Sequence, residues 1–153
     1  MLPVKNILCP TDFSKSSIKS TETVNKLAEL FGSTVYLVNV VVPVPVNEGY
    51  PGMIDTSSMN TEQLDMEIHN NAKESLQKMA KEHFSEDITV KKTVLTGSPV
   101  DEISRFAEDQ NIDLIIVPTH GRTGLKRLVM GSVAEGIIRH SSCPVLVTRA
   151  ERE

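Results

Sequence analysis

The sequence has 153 residues and a mass of 16.9 kDa, a size typical of one domain, and we expect a single domain over residues 1–153. Apolar residues make up 39% and charged residues 24%, a balance that excludes an intrinsically disordered chain. Lys and Arg total 16 against 20 Asp and Glu, a formal net charge of −4. No overall positive field exists to attract a phosphate backbone, so we expect no nucleic-acid partner.

The cysteine content and the N-terminus indicate the cellular compartment. Cys9 and Cys143 are too few and too far apart for a disulfide framework, which favours free thiols in the reducing cytoplasm. The segment Met1–Asn6 shows no secretory signal. Apolar runs such as Ile112–Pro118 fall far short of the ~20 residues of a membrane helix. We therefore expect a cytoplasmic protein without a membrane span.

The N-terminal part of the sequence predicts a strand followed by a helix. Val4–Cys9 is apolar enough for a short strand, and Pro10 closes it. Ser14 or Ser16 can cap the helix, and Gly32 ends it. Apolar side chains recur at steps of three and four, which predicts one stripe packed on a sheet: Ile18, Thr21, Val24, Leu27, Ala28 and Phe31.

The middle of the sequence predicts a second strand and a second helix. Thr34–Val42 is apolar almost throughout, as in a parallel strand covered on both faces. Residues 46–60 are rich in Pro, Gly, Ser and Asn, and we interpret them as a lid or linker. Helical spacing then relates the next apolar residues, namely Leu64, Ile68, Ala72, Leu76, Met79 and Ala80.

The C-terminal half repeats the alternation. Strands are predicted at Ile88–Leu95, Asp113–Val117 and Pro144–Thr148. Ser98 and Pro99 begin a third helix, which carries Val100, Ile103, Phe106 and Ala107; Gly131 and Ser132 precede a fourth, which carries Val133, Ile137 and Ile138. Alternating strands and helices predict an α/β fold with a five-stranded parallel sheet between helix layers.

Two loops at the carboxyl ends of predicted strands carry groups suited to ligand binding, because ligands of open α/β sheets bind at that edge. The first is Pro10-Thr11-Asp12-Phe13-Ser14. Its Asp12 can accept a hydrogen bond from a ribose or an amine, or hold Mg²⁺ through water. An ordinary helix N-cap is an equally good explanation of this aspartate.

The second loop runs from Thr119 into the fourth helix. Gly121, Gly124 and Gly131 let backbone amides approach a phosphate, and Ser132 adds a hydroxyl at a helix N-terminus. Positive charge in the same loop comes from Arg122, Lys126 and Arg127. Composition alone would equally explain an ordinary glycine-containing loop with a solvated basic face.

The P-loop and dinucleotide signatures are absent. The second loop instead resembles the universal stress protein family, whose ATP-binding members carry G-x-x-G, nine residues and then G-[ST]. Gly121, the spacer from Arg122 to Met130 and the pair Gly131-Ser132 match this pattern. The segments Pro10–Ser14 and Ser142–Val147 are similar to the borders of the family's first and last strands.

The resemblance implies an open twisted Rossmann-like sheet with strand order 3-2-1-4-5, of the adenine nucleotide alpha hydrolase-like type. It also implies ATP, with or without Mg²⁺, as ligand and a homodimer formed through the last strand. Asp12, beside Pro10 and Thr11, would contact the adenosine or its metal, and the backbone of Val40 would contact the adenine edge. The ribose and phosphates would lie against Gly121, Arg122, Gly131, Ser132 and Val133.

Pro118 and His120 are two further candidate residues of this site. Pro118 occupies the position of the motif's first glycine, and its missing amide is expected to weaken ATP binding. His120 could touch phosphate or act as an acid or base, although packing under the loop is favoured. His69, His83, His120 and His140 share no metal-ligand spacing.

Three functions follow from these observations. The first is a nucleotide-binding stress-response or signalling module with little or no catalysis, which acts on an unidentified protein partner. The second is a nucleotide-independent protein–protein interaction module whose ATP site is degraded at Pro118. The third is an enzyme such as a slow ATPase or an adenylyl transferase, for which Asp12 and His120 are the only acid-base candidates. We expect the first of these and no enzymatic activity.

Overall fold

The computed structural model describes residues 3–43, 60–120 and 130–149. Residues 46–59 of the predicted lid or linker lie outside this range. So do Gly121, Gly124 and the three basic residues of the second loop, Arg122, Lys126 and Arg127. The architecture below concerns the described residues.

The described chain forms five strands and four helices in the predicted alternation. In chain order these are β1 (Asn6–Pro10), α1 (Lys15–Phe31), β2 (Thr34–Val41), α2 (Thr61–His83), β3 (Val90–Thr96), α3 (Pro99–Asp109), β4 (Leu114–Pro118), α4 (Ser132–His140) and β5 (Val145–Thr148). All strand pairs are parallel, and the sheet order is β3-β2-β1-β4-β5. The predicted fold class and strand order are confirmed.

The strand boundaries differ from the predicted ones by one or two residues: β1 begins at Asn6 and not at Val4, and β3 runs over Val90–Thr96 and not Ile88–Leu95. Pro10 and Pro118 were expected to follow their strands, but each is the last residue of its strand. A proline can be the last residue of a strand because its backbone is compatible with the extended conformation. It interrupts the sheet only by lacking an N–H donor. Helix α2 also begins at Thr61 and ends at His83, and so extends beyond the apolar spacing at both ends.

Helix α1 begins and ends where its capping residues predict. The Ser14 hydroxyl accepts a hydrogen bond from the Ser17 amide at 3.3 Å, so Ser14 and not Ser16 is the N-cap. Gly32 adopts φ 65°, the left-handed conformation of a helix C-cap. The predicted stripe is wrong at Phe31, which is 37% exposed at the last turn. Leu64, at the start of α2, is also 37% exposed.

Helices cover both faces of the sheet and enclose two cores. The first core lies between the sheet and helices α1 and α2, where Val24, Ala28, Leu76 and Met79 pack on Ile7, Cys9, Val35, Leu37 and Ile116. The second lies on the opposite face, where Ile103, Ala107, Ala134 and Ile137 pack on Leu8, Val38, Ile115 and Val117. Helices α1 and α2 therefore share one face, and α3 and α4 share the other.

The change of face makes the boundary between β1 and β4 the switch point of the sheet. Five register pairs join β1 to β2 and four join β4 to β5. Only two pairs, Ile7↔Leu114 and Leu8↔Ile115, join β1 to β4. The β1–β4 ladder therefore stops short of the carboxyl ends of both strands, the edge at which open α/β sheets bind ligands.

Candidate functional site

A cavity of about 290 Å³ lies at the carboxyl ends of β1, β2 and β4, against the N-terminus of α4. We call it the crevice. This volume is close to the lower end of the ~300–1,000 Å³ typical of small-molecule sites. The residues lining the crevice are Pro10, Thr11, Asp12, Ser17, Val38, Asn39, Val40, Pro99, Ile103, Val117, Pro118, Thr119, Gly131, Ser132, Val133, Ala134 and Ile137.

The β1 wall of the crevice, residues 10–14, is held by side-chain hydrogen bonds around Thr11. The Thr11 hydroxyl donates to Ser17 Oγ at 3.0 Å and accepts from the Phe13 amide at 3.0 Å. The Thr11 amide donates to the Val38 carbonyl of β2 at 2.8 Å. Because these groups are buried or partly buried, their pairing fixes the course of the loop as it leaves β1.

Asn39 is a site residue that the sequence analysis missed. Its Nδ2 donates to the Thr11 carbonyl at 2.9 Å, and the residue is only 9% exposed. A carbonyl can only accept, so the amide nitrogen must face Thr11. The available signal was a single amide side chain within the largely apolar segment Thr34–Val42.

Asp12 lines the crevice and also shapes its own loop. Its Oδ1 accepts a hydrogen bond from the Ser14 amide at 3.0 Å, as in an Asx turn. Phe13 follows with φ 62°, a conformation uncommon for a bulky residue. Asp12 is therefore not the N-cap that the sequence left open, because Ser14 has that role.

The β4 wall of the crevice, formed by Pro118, Thr119 and Gly131, is held by backbone contacts. The Thr119 amide donates to the Thr148 carbonyl of β5 at 2.9 Å, and the Gly131 amide donates to the Thr119 carbonyl at 2.6 Å. A Cβ atom at residue 131 would lie 3.0 Å from that carbonyl oxygen. Close approach thus explains this glycine, since its φ of −60° is open to any residue.

The N-terminus of α4 provides hydrogen-bond donors at the crevice. Gly131 is the N-cap and makes no side-chain cap bond, and the first intrahelical bond runs from the Glu135 amide to the Gly131 carbonyl at 3.0 Å. The amides of Ser132 and Val133 therefore have no intrahelical acceptor. The positive end of the helix dipole lies at the same place, so the geometry suits an anion such as a phosphate.

The floor of the crevice is apolar. Val38 and Val40 from β2 face Ile103 of α3 and Ile137 of α4 across it, and Pro99 begins α3 beside them. Val38, Ile103 and Ile137 belong to the second core, so the floor continues the packed interior of the protein. An apolar floor of this kind accepts a flat ring system by burial of its faces.

The structure brings most of the predicted site residues together around the crevice. They are Pro10, Thr11, Asp12, Val40, Pro118, Gly131, Ser132 and Val133. His120 does not line the crevice: its Nδ1 lies 3.1 Å from the Thr119 hydroxyl, and its Nε2 is buried with no hydrogen-bond partner among the described residues. Gly121 and Arg122 lie outside the described residues.

The thiols and histidines of the described residues form no metal site. No group of three or more His, Cys, Asp or Glu within residues 3–43, 60–120 and 130–149 is placed to hold a metal ion. Both cysteines are free thiols, and burial raises the pKa of Cys9 to about 12.

No helix in the described part of the chain is long and apolar enough to cross a membrane.

An open parallel sheet with helices on both faces and a crevice at the switch point defines a Rossmann-like α/β protein. Comparison with known proteins identifies the family within this class. The model of the universal stress protein family matches residues 3–149. The chain belongs to this family.

Curated relatives and a solved structure support the assignment over nearly the whole chain. Universal stress protein MJ0531 of Methanocaldococcus jannaschii is 33% identical, over 97% of this chain and 84% of that protein. Universal stress protein MJ0577 of the same organism is 31% identical, over 95% of this chain and 94% of that protein. The solved structure of MJ0577 has a TM-score of 0.80 at 32% identity, covering 98% of this chain and 99% of that chain.

Two more distant structures share the fold and contain nucleotides. A universal stress protein in complex with cAMP has a TM-score of 0.64 at 18% identity, over 95% of this chain and 97% of that chain. The Archaeoglobus fulgidus universal stress protein in complex with dAMP has a TM-score of 0.54 at 19% identity, over 96% of this chain and 98% of that chain. At these identities the likeness establishes a common fold.

Proposed function

We propose that this protein binds an adenine nucleotide, ATP alone or as Mg-ATP, in the crevice, and acts as a stress-response or signalling module with little or no catalysis. The observation that carries the proposal is the combination of an apolar floor, one carboxylate and a helix N-terminus in one cavity. Family membership supports it, as do the structural neighbours that hold cAMP and dAMP.

Each part of a nucleotide has a matching part of the crevice. The base is assigned to the apolar floor, where the backbone of Val40 at the end of β2 would contact the adenine edge. Asp12 would accept a hydrogen bond from a ribose hydroxyl. The amides of Ser132 and Val133, together with the α4 dipole, would bind the phosphates. Contacts from Gly121 and Arg122 to the same groups remain predictions.

Magnesium is proposed only as a companion of ATP. Among the described lining residues, Asp12 is the one with an ionisable side chain. Mg²⁺ keeps several waters and is commonly held by one or two carboxylates and the phosphates of its nucleotide, so a single carboxylate fits this mode. A bound metal would neutralise phosphate charge and link the ligand to the β1 wall.

The proposed role is binding, because proton transfer in both directions needs a matched acid and base at the reacting atoms. The described lining offers Asp12 alone, and the other sequence candidate, His120, does not line the crevice. A protein that only binds its ligand responds to it by a population shift. The bound ligand stabilises the binding-competent form by about 2.7 kcal/mol when its concentration exceeds Kd a hundredfold. A slow release of ADP or AMP from ATP, abolished by Asp12→Ala, would contradict this part of the proposal.

The exposed edge of the sheet at β5 bears on how the protein assembles. β5 is an edge strand whose Leu146 is 38% exposed, and an open apolar edge needs a cover. We propose a second copy of β5 as that cover, giving a homodimer in the cytoplasm that acts on a protein partner not yet identified. A species of 16.9 kDa alone in sedimentation equilibrium at micromolar concentration would count against the dimer.

The main experiment measures the ligand directly. Protein purified quickly at low temperature is denatured, and released small molecules are identified by mass spectrometry. ATP, ADP or AMP at near one molecule per chain supports the proposal. The alternative favoured by Pro118, a nucleotide-independent interaction module, requires that no nucleotide is released and that none binds on titration.

A matched pair of variants localises the binding. Asp12→Ala and Asp87→Ala remove the same charge, but Asp12 lines the crevice and Asp87 is exposed and outside it. Calorimetric titration with Mg-ATP is expected to show weaker binding for Asp12→Ala by about tenfold or more and no change for Asp87→Ala, since a hydrogen bond involving a charged group contributes about 1.5–3 kcal/mol. Equal affinities of the Asp12→Ala and Asp87→Ala variants would show that Asp12 does not contact the ligand.

A further inference from the structure

The early end of the β1–β4 ladder has a cause in the backbone. Alternate residues of a parallel strand direct their N–H groups to alternate neighbouring strands. The Thr11 amide donates to Val38 of β2, so the residue before it, Pro10, directs its nitrogen towards β4. The Thr119 amide donates to Thr148 of β5, so Pro118 directs its nitrogen towards β1.

The next two hydrogen bonds between these strands would both need a proline donor. Continuing the register beyond Leu8↔Ile115 pairs the nitrogen of residue 10 with the Ile116 carbonyl, and the nitrogen of residue 118 with the Pro10 carbonyl. Proline has no N–H, so neither bond can form. The observed β1–β4 pairing ends after Leu8↔Ile115, the last pair before the two missing proline donors.

We propose that Pro118 is a positioning residue that, together with Pro10, keeps the crevice open for its ligand. The inference rests on the proposed function for the identity of the ligand, an adenine nucleotide. It reverses the sequence-based expectation, in which Pro118 costs the site a ligand contact. An amide at residue 118 would face the carbonyl of Pro10, whereas the donors for phosphate lie on α4.

The size of the effect follows from one added hydrogen bond. A Pro118→Ala chain gains a donor, and its amide can bond the Pro10 carbonyl and extend the β1–β4 ladder by one rung into the crevice. Ligand entry must then break that bond, and the open form becomes the minor one. Apparent Kd for Mg-ATP is expected to rise about fivefold, the effect of one ordinary hydrogen bond.

The experiment compares Pro118→Ala and Pro118→Gly with Pro144→Ala. Pro144 is exposed, precedes β5 and does not line the crevice, so its replacement reproduces only the loss of a proline. Calorimetry with Mg-ATP is expected to show about fivefold weaker binding for both Pro118 variants and unchanged binding for Pro144→Ala. Unchanged or tighter binding by both Pro118 variants would overturn the proposal.

Amide hydrogen exchange without nucleotide tests the mechanism separately. The new amide at residue 118 is expected to exchange about fivefold more slowly than in an unstructured peptide, because one ordinary hydrogen bond within the sheet protects it. Pro10→Ala supplies a donor from the opposite strand, and its amide at residue 10 is expected to be protected through the Ile116 carbonyl. Unprotected amides at both positions would show that the ladder ends for another reason and would overturn the proposal.

The two readouts separate this inference from the proposed function. If the wild-type chain binds no nucleotide, the proposed function fails, and the exchange measurement still decides whether the prolines end the ladder. If the wild-type chain binds Mg-ATP and the Pro118 variants bind as well or better, the inference fails and the proposed function stands.

Discussion

The two walls of the crevice are built by different means. The β1 wall is held by side chains: the Thr11 hydroxyl bonds Ser17, and Asn39 reaches across from β2 to the Thr11 carbonyl. The β4 wall is held by backbone, through the bonds of Thr119 to Thr148 and of Gly131 to Thr119. One wall therefore depends on residue chemistry and the other on how closely main chains approach.

This difference predicts how each wall fails. A side-chain network loses one bond at a time, and its neighbours keep the loop near its place. A wall built on close main-chain approach tolerates no added atom, because the carbonyl or helix against it cannot move without shifting a whole element. Substitutions on the β4 side should therefore have the larger effects.

The largest effect is expected from Gly136→Ala, which acts on the helix that carries the β4 wall. A Cβ atom at residue 136 would lie 2.5 Å from Val100 Cγ2, so α4 packs directly on α3 at this glycine. Overpacking of this kind typically costs about 1–3 kcal/mol. Urea denaturation should show a loss of about 2–3 kcal/mol in the free energy of unfolding, with an unchanged m-value.

The control for this prediction is a double-mutant cycle with Val100→Ala. Removing both valine methyls takes away the atoms that the new Cβ would meet. Gly136→Ala should then cost less than 1 kcal/mol in the Val100→Ala background. Additive costs of the two substitutions would mean that the helix contact is not the cause.

The next effect is expected at Gly131, where the β4 wall meets the N-terminus of α4. Gly131→Val places side-chain carbons against the Thr119 carbonyl, 3.0 Å from the Cβ position, and pushes the donors of α4 away from β4. Mg-ATP should bind at least tenfold more weakly by calorimetry, with Gly131→Ala intermediate between wild type and valine. Wild-type affinity in the valine variant would show that the ligand does not use this helix end.

The contrast between the walls also explains what the sequence could predict. Local patterns predicted the elements, the parallel sheet and a serine cap at Ser14 or Ser16, because each depends on spacing and residue type within one segment. The family resemblance supplied the strand order. Most of the ligand-binding residues predicted in the β1 loop and at the start of α4 also line the crevice. They could be predicted because both segments lie next to the carboxyl ends of strands.

Three features could not be predicted because they depend on distant partners. Asn39 acts on Thr11, which is 28 positions away in the sequence, and only the β1–β2 register brings them together. Gly136 is needed because of Val100, on another helix. The direction of the Pro118 nitrogen depends on which neighbour Thr119 bonds, and strand periodicity does not contain that information.

A smaller effect is expected from loosening the β1 wall with Asn39→Leu. Leucine has a similar size but cannot donate, so the Thr11 carbonyl loses its partner and the cost should be about 1–2 kcal/mol of unfolding free energy. Mg-ATP binding should weaken about two- to threefold, because the Ser17 and Phe13 bonds still hold the loop. Asn71→Leu, on the exposed surface of α2, is the control and should change neither quantity.

The smallest effect is expected from the thiol beneath the β1 wall, and it appears only at alkaline pH. Burial raises the pKa of Cys9 from 9.0 to about 12, so the folded state retains the proton that the unfolded state gives up. The stability linked to this group is complete below pH 9 and is lost progressively as pH rises towards 12. At pH 9.5 the loss should be about 1 kcal/mol, from 1.36 kcal/mol per pKa unit.

Cys9→Ala isolates this contribution from the other groups that titrate at high pH. The variant should be less stable than wild type at pH 7, where it loses buried packing. The difference should shrink by about 1 kcal/mol at pH 9.5, because alanine has no proton to lose. Cys143 is half-buried with its pKa raised chiefly by desolvation, so Cys143→Ala should show a weaker dependence of the same sign. A gap between wild type and Cys9→Ala that stays constant from pH 7 to 9.5 would show that the thiol at the end of β1 is not shielded from solvent, and that the β1 wall opens more readily than its hydrogen bonds imply.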